Sequence, residues 1–395
     1  MKGTEMKLLK LSLLLALSSL LLLALSCGQS GEPPSAANES SAGDEYFAYI
    51  GTYTAEVSQG IYAYRFQPST GTLTSLGLVA ETPNPSFLAV SPDRRFLYAV
   101  NWRGNETVEG NTVSAYALDA ATGALTFLNK VSSQGEMPTH LAVDVNAKTL
   151  IVVNYGSGTV TALPIQADGR LGESTYVDQH TGPSVHREPG PHAHGVIFSP
   201  DNQFAFSADV GMDRVYAYRV DASTGAVSAN DPPFVQVEQG RGPRHLAIHP
   251  SGRFLFVNNE QGRSVTSFAV EGGTLKEIQT IPTVPDDVTQ GSTAEIQISP
   301  NGRFLYVSNR GHDSIAVFAV DAAAGTLTPV EHVSTQGRTP RNFSLDATGS
   351  YMFAANQNSN TIVLFRVDPD TGRLTPTGEV LEVPFPVCVL FVKAG

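Results

Sequence analysis

Seven copies of one motif run along this chain of 395 residues, and they restrict the fold more than anything else in it. The core of the motif is a short apolar run that follows Pro or a similar residue. The copies are Pro85–Ser91, Pro138–Asp144, His192–Ser199, Pro243–His249, Thr293–Ser299, Pro340–Asp346 and Pro386–Phe391. Their starts lie about 46 to 54 residues apart, the period of a four-stranded propeller blade. A tight-turn signal follows in most copies, as at Ser91-Pro92-Asp93 and Pro300-Asn301-Gly302. A second run then ends on Asn or Asp: Phe96–Asn101, Leu150–Asn154, Phe204–Asp209, Phe254–Asn259, Phe304–Asn309 and Tyr351–Asn356. Such a residue is predicted to bond nearby backbone at a turn. A third strand alternates, as in Thr112–Leu118 and Ser314–Val320. A Thr-Gly hairpin, as at Thr122-Gly123 and Thr371-Gly372, leads to the fourth.

The ends of the chain set the topology. The N-terminal copy has second, third and fourth strands (residues 46–51, 60–66 and 73–80) but no first. The C-terminal copy has a first strand, residues 387–392, and then stops. One blade is therefore expected to be shared between the termini, which joins the ring and removes open sheet edges. The fold class is all-β: a seven-bladed propeller of four strands per blade over residues 45–395. The 36 Gly and 25 Pro agree with a turn-rich chain, and the formal charge of −12 argues against nucleic acid as a partner.

Residues 1–26 read as a signal peptide. Lys2, Lys7 and Lys10 precede the apolar run Leu11–Ala24, which is too short for a spanning helix. Ala24-Leu25-Ser26-Cys27 resembles a bacterial lipobox, so Cys27 is the expected lipidation site and the anchor to a membrane. Residues 27–44 are small and polar and read as a tether. Besides Cys27 only Cys388 is present, in a run that reads as a buried strand, so the mature domain has no internal disulfide. The expectation is an exported, membrane-anchored lipoprotein, monomeric in its propeller.

In a propeller the first strands line the central channel, and the turns between second and third strands share its entrance. The third positions of the first-strand copies, counted from the start of each, are Phe87, His140, His194, His245, Glu295, Asn342 and Cys388. The positions before them include Arg244 and Arg341. The residues following each terminal Asn or Asp include Trp102, Tyr155, Glu260 and Arg310. Structural positions repeat as one residue type; these do not, and many are ionisable. His140, His192, His194, Arg244, His245, Glu260, Glu295, Arg310 and Arg341 are thus candidates for one charged mouth. A histidine there could also simply fill the channel, and Arg341 could pair with Glu295 as plain structure. His192 and His194 could supply two metal ligands, but no third is marked by spacing. No Gly-x-Ser-x-Gly elbow and no phosphate-cradling glycine loop are present, so no cofactor is implied.

Several of these stretches together resemble the seven-bladed lactonase family: Tyr49–Thr54, Asn154–Gly156, Gly190–His194, Gly242–His245, Asn259-Glu260, Ser308–Ser314 and Thr339–Phe343. That family includes propeller-type 6-phosphogluconolactonases and fungal carboxymuconate cyclases. The resemblance implies an active site of one His, two Arg and one Glu. These fall on His194 (or its neighbour His192), Arg244, Glu260 and, as second Arg, Arg310. His140, His192, His245, Glu295 and Arg341 are assigned to substrate binding. The implied activity is hydrolysis of a sugar-type lactone without a cofactor. Arg244 would stabilise the oxyanion, Arg310 or Arg341 would hold an anionic group, and His194 would act as base with Glu260 orienting it or sharing the role. The alternatives are a cycloisomerase using the same groups and a non-catalytic surface propeller that docks a ligand.

Overall fold

The computed structural model describes residues 45–54, 57–103, 110–184 and 189–395. The signal peptide, the tether and Cys27 lie outside the described residues. Twenty-eight strands form seven four-stranded antiparallel sheets arranged as blades, each written here from the innermost strand outward. The first blade is β28 (Pro386–Lys393), β1 (Tyr46–Thr52), β2 (Gly60–Gln67) and β3 (Thr72–Glu81). The second to seventh blades follow in chain order and begin with β4 (Leu88–Val90), β8 (Pro138–Val143), β12 (Ala193–Phe198), β16 (Pro243–Ile248), β20 (Ser292–Ile298) and β24 (Pro340–Leu345). β28 pairs with β1 from Tyr46 opposite Lys393 to Gly51 opposite Cys388, so the C-terminal strand completes the N-terminal blade. Innermost strands touch in sequence, and β28 touches both β24 and β4, which closes the ring. Among the described residues no helix is long and apolar enough to cross a membrane.

Seven apolar clusters hold the ring, one at each blade interface. Phe47 and Tyr49 of the first blade pack with Leu97 and Tyr116 of the second, for example, and Phe66 of the first with Phe353 of the seventh. Each second strand is covered on both faces, and all six residues of Phe96–Asn101 are buried. Double burial is why these strands read as continuous apolar runs rather than as alternation. The Thr-Gly hairpins lock onto the neighbouring blade. Tyr49 donates its hydroxyl to Gly123 O at 2.8 Å and Tyr306 to Gly372 O at 3.0 Å. Gly123 and Gly372 have φ of 76° and 71°, and a Cβ at either would stand 2.6 or 2.5 Å from Phe47 or Phe304. Both conformation and space therefore demand glycine there.

The terminal Asn residues correct one sequence-based expectation. Most of them bond the segment arriving from the preceding blade instead of a local turn. Asn154 Nδ2 donates to Ser133 O at 3.0 Å, Asn309 to Thr283 O at 2.9 Å and Asn356 to Thr335 O at 3.0 Å. A buried carbonyl at each blade crossing needs a donor, and the strand ending beside it supplies one.

Candidate active site

Strand register decides which candidates meet. The register against the second strand shifts in six of the innermost strands, in β20 between Thr293 and Ile296, and in the other five it leaves one residue over. Pro138 faces Asn154 and His140 faces Val153, which leaves Thr139 over. Ala193 faces Asp209 and Gly195 faces Ala208, leaving His194. Pro243 and His245 face Asn259 and Asn258, leaving Arg244, and Pro340 and Asn342 likewise leave Arg341. Val387 is left over in the first blade. A bulge re-aims its side chain, and here it turns four side chains toward one end of the channel.

The register corrects the position given to His194. Counting from the start of the motif groups it with His140 and His245, whereas pairing groups it with Arg244 and Arg341. The count in the third copy starts from His192, one residue ahead of Ala193, which is the register equivalent of Pro138 and Pro243. Gly195 is the true equivalent of His140 and His245.

Two rings of equivalent positions build the site. The bulge ring contributes Thr139, His194, Arg244 and Arg341. The residues at or just past the end of each second strand contribute Tyr53, Trp102, Tyr155, Glu260 and Arg310. With Met137, these line a cavity of about 130 Å³. A cleft of about 860 Å³ lies elsewhere, against β3 and the second blade, and contains Arg103 and Lys130. Among the described residues its lining has no histidine, and its one carboxylate, Glu81, makes no ion pair, so the smaller cavity has the chemistry.

Glu260 organises the cavity. Its Oε2 accepts from Arg244 Nη1 at 2.9 Å and its Oε1 pairs with Arg310 Nη2 at 3.0 Å. Arg244 is also held by Ala294 O, which accepts from Nε at 3.0 Å, and Arg310 by Thr293 O at 2.9 Å. Burial pushes the Glu260 carboxyl up, but Arg244 and Arg310 outweigh it and hold the group at about 2. Glu260 is therefore ionised throughout the physiological range. Burial pulls the Arg244 guanidinium down to about 10, against the pull of Glu260, and it stays charged at neutral pH.

His194 is buried and accepts a hydrogen bond at Nε2 from Arg244 Nη1. An arginine only donates, so Nε2 carries the ring's lone pair and Nδ1 its proton. Nδ1 has no hydrogen-bond partner among the described residues. Burial, then the Arg244 charge, hold His194 well below the usual imidazole range, so the ring is neutral. Glu260 does not touch His194; Arg244 stands between them. The carboxylate orients the two arginines rather than the imidazole.

His192 falls outside the cavity. Its ring stacks on Tyr155 at 4.5 Å between centroids and its Nδ1 donates to Tyr155 O at 2.8 Å. Asp209 Oδ1 accepts the N–H groups of His192, Gly211 and Met212, which fixes the approach to the bulge. His192 thus holds Tyr155, whose ring meets His194 edge-on at 5.4 Å. No cluster of three metal-ligating side chains occurs among the described residues. Arg341 lies over the Tyr53 ring at 5.3 Å and has no carboxylate partner among the described residues; it does not pair with Glu295. Three guanidiniums against one carboxylate leave the cavity two positive charges in excess. His245 and Glu295, both buried, and the half-buried His140 lie in a layer beneath and do not line the cavity.

Sequence reasoning placed Trp102 and Tyr155 at the channel entrance but did not name them, or Tyr53, Met137 and Thr139, as site residues. The signal for three of them was present. Tyr53, Trp102 and Tyr155 occupy the same position in their blades as Glu260 and Arg310.

Comparison with known proteins agrees with the fold. Residues 47–391 match the family model described as lactonase, 7-bladed beta-propeller. The chain is 36% identical over 353 residues to the 6-phosphogluconolactonase of Bacillus subtilis, covering 88% of this chain and 99% of that protein. It is 30% identical over 304 residues to the 6-phosphogluconolactonase of Formosa agariphila, covering 75% of this chain and 86% of that protein. The structure of the periplasmic gluconolactonase of Pseudomonas aeruginosa superposes with a TM-score of 0.84 at 36% identity, over 89% of this chain and 100% of that one.

Proposed function

The chain belongs to the seven-bladed β-propeller lactonase family, and from that premise we propose that it hydrolyses a sugar-type lactone in the cavity built on Glu260. The observation that carries this reading is the Arg244–Glu260–Arg310 clamp beside a neutral, buried His194. Ester hydrolysis places negative charge on the carbonyl oxygen, and donors fixed in advance stabilise it best. Arg244 has five N–H groups. Three are engaged by Ala294, Glu260 and His194, and the two on Nη2 have no partner among the described residues. Those two are suited to the oxyanion. Arg341, with its charge uncompensated, is suited to an anionic substituent of the substrate.

Proton transfer falls to His194. Water attacks the carbonyl carbon and gives its proton to Nε2, which it reaches by displacing the Nη1 hydrogen bond, while Ala294 and Glu260 keep Arg244 in place. The ring C–O bond then breaks and the leaving oxygen takes the proton from His194 as it becomes a hydroxyl. The product is an open-chain hydroxy acid, whose carboxyl proton passes to solvent. No cofactor takes part. Tyr53, Trp102 and Tyr155 offer aromatic faces to the C–H face of a sugar ring.

The apolar run before Cys27 and the likeness to a periplasmic gluconolactonase support export, with the lipid on Cys27 as the anchor. An exported enzyme meets non-phosphorylated sugar lactones more readily than those made inside cells. The test is a panel of phosphorylated and neutral sugar lactones, assayed with metal-free protein against the spontaneous rate. Hydrolysis above background supports the reading. Saturable binding without turnover would favour a docking propeller instead.

A further inference from the structure

Beneath the bulge ring, the next position of each innermost strand forms a second layer: Phe87, His140, Gly195, His245, Glu295, Asn342 and Cys388. The hydrolytic steps above use none of these. Glu295 is buried, and its hydrogen bonds are almost all fixed. Oε1 accepts the Ile296 N–H at 2.9 Å and Oε2 accepts the Asn342 amide. Asn342 cannot turn its oxygen toward Glu295, because Val389 N–H donates to Oδ1 at 2.9 Å. One contact suits either protonation state: His245 Nδ1, 3.3 Å from Oε1. If Glu295 is ionised, Nδ1–H donates to it. If Glu295 is protonated, the acid donates to Nδ1 and the ring proton sits on Nε2. His245 meets His194 edge-on at 5.1 Å and His140 at 4.9 Å, and its chain neighbour is Arg244.

We propose that Glu295 is a positioning residue of this site: by taking up or releasing one proton against His245 it sets that ring's tautomer and the charge beneath Arg244 and His194. This rests on the lactonase reading of the cavity. The titratable and charged groups around the layer are His140 from β8, His194 from β12, Arg244 and His245 from β16, Arg341 from β24 and Cys388 from β28. Burial pushes Glu295 up to about 7, against the opposing pull of His140, the Ile296 N–H, Arg244 and Asn342. Burial holds His140 and His245 well below the imidazole range and pushes the Cys388 thiol up to about 12. Within the layer, Glu295 is the group whose charge changes near neutrality. Below that point the excess positive charge of the cavity acts undiminished on the oxyanion. Above it, a buried anion under Arg244 weakens that field.

The expected result is a kcat/KM for gluconolactone, corrected for spontaneous opening, that falls about tenfold as pH rises through the neutral range, the size of one pKa unit of coupling. Glu295→Gln should flatten that step. Gln can accept only one of the Ile296 and Asn342 donors, so its melting temperature should also be measured. Adding Asn342→Asp to Glu295→Gln moves the carboxyl across the same hydrogen bond, where it accepts from both Val389 and the new amide. This pair should restore a pH step, which a purely structural role does not predict. Infrared titration of the wild type should show a protonated carboxyl that ionises in the neutral range and is missing from Glu295→Gln. A step of equal size in wild type and Glu295→Gln overturns the proposal. A wild type that hydrolyses no lactone sinks the lactonase reading alone. The infrared titration then decides, and a neutral-range band that survives in Glu295→Gln overturns the assignment.

Discussion

Arg244→Lys separates catalysis from scaffolding in one sample. The guanidinium spans Ala294 O at 3.0 Å, Glu260 Oε2 at 2.9 Å and the His194 ring. A lysine keeps the charge but brings its donors to a single point on a different stem, so it cannot serve Ala294 and Glu260 together. Glu260 keeps Arg310 at 3.0 Å and is not left as an unpaired buried charge. The stability cost is therefore that of one or two charge-assisted hydrogen bonds, about 2–3 kcal/mol, which lowers Tm by a few degrees. Well below Tm that loss leaves almost all molecules folded. Turnover should nonetheless fall by about a hundredfold to a thousandfold, the effect of removing one placed oxyanion donor. The assay is steady-state lactone hydrolysis and thermal melting on the same preparation. Wild-type kcat together with a lowered Tm would refute the catalytic role of Arg244.

Four further outcomes are expected. Arg341→Gln should raise KM for a phosphorylated sugar lactone by about tenfold or more and leave a neutral lactone nearly unchanged; equal effects on both would remove Arg341 as an anion contact. Deleting residues 386–395 removes β28, exposes the edge of β1 and should convert the protein to aggregates in size-exclusion chromatography. Glu260 sits at about 2 when folded against an ordinary 4.5, so its stabilisation is complete above about 4.5 and is lost as pH falls toward 2; roughly 3 kcal/mol of acid-range stability should be missing from denaturation curves of Glu260→Gln. Cys27→Ser should move the native protein from the membrane to the soluble fraction, and a wild type already wholly soluble would contradict the anchor.

The ring was legible because each blade repeats a turn, an apolar run and a terminal Asn at nearly constant spacing, and because the missing strands at the two ends complement each other. Glu260 and Arg310 were legible for a related reason: they follow Asn259 and Asn309, so their shared level could be read directly. His194 was harder. Counting its copy from His192 displaces the count by one, and only the pairing of Ala193 with Asp209 and Gly195 with Ala208 shows that His194 is the bulged residue. The division between cavity and buried layer was also hidden. Arg244 and His245 are adjacent in sequence, but the bulge sends one upward to Glu260 and leaves the other against Glu295. Nor could spacing show that Arg244 separates Glu260 from His194, since that depends on the reach of three side chains from two blades.

Diffraction from crystals soaked with the open-chain hydroxy acid of a hydrolysed substrate tests the location of the chemistry most directly. The account predicts its carboxylate within hydrogen-bond distance of Arg244, with its sugar chain against Tyr53, Trp102 and Tyr155. Density for the acid beside Arg103 and Lys130 in the larger cleft, with the Glu260 cavity unchanged, would contradict it.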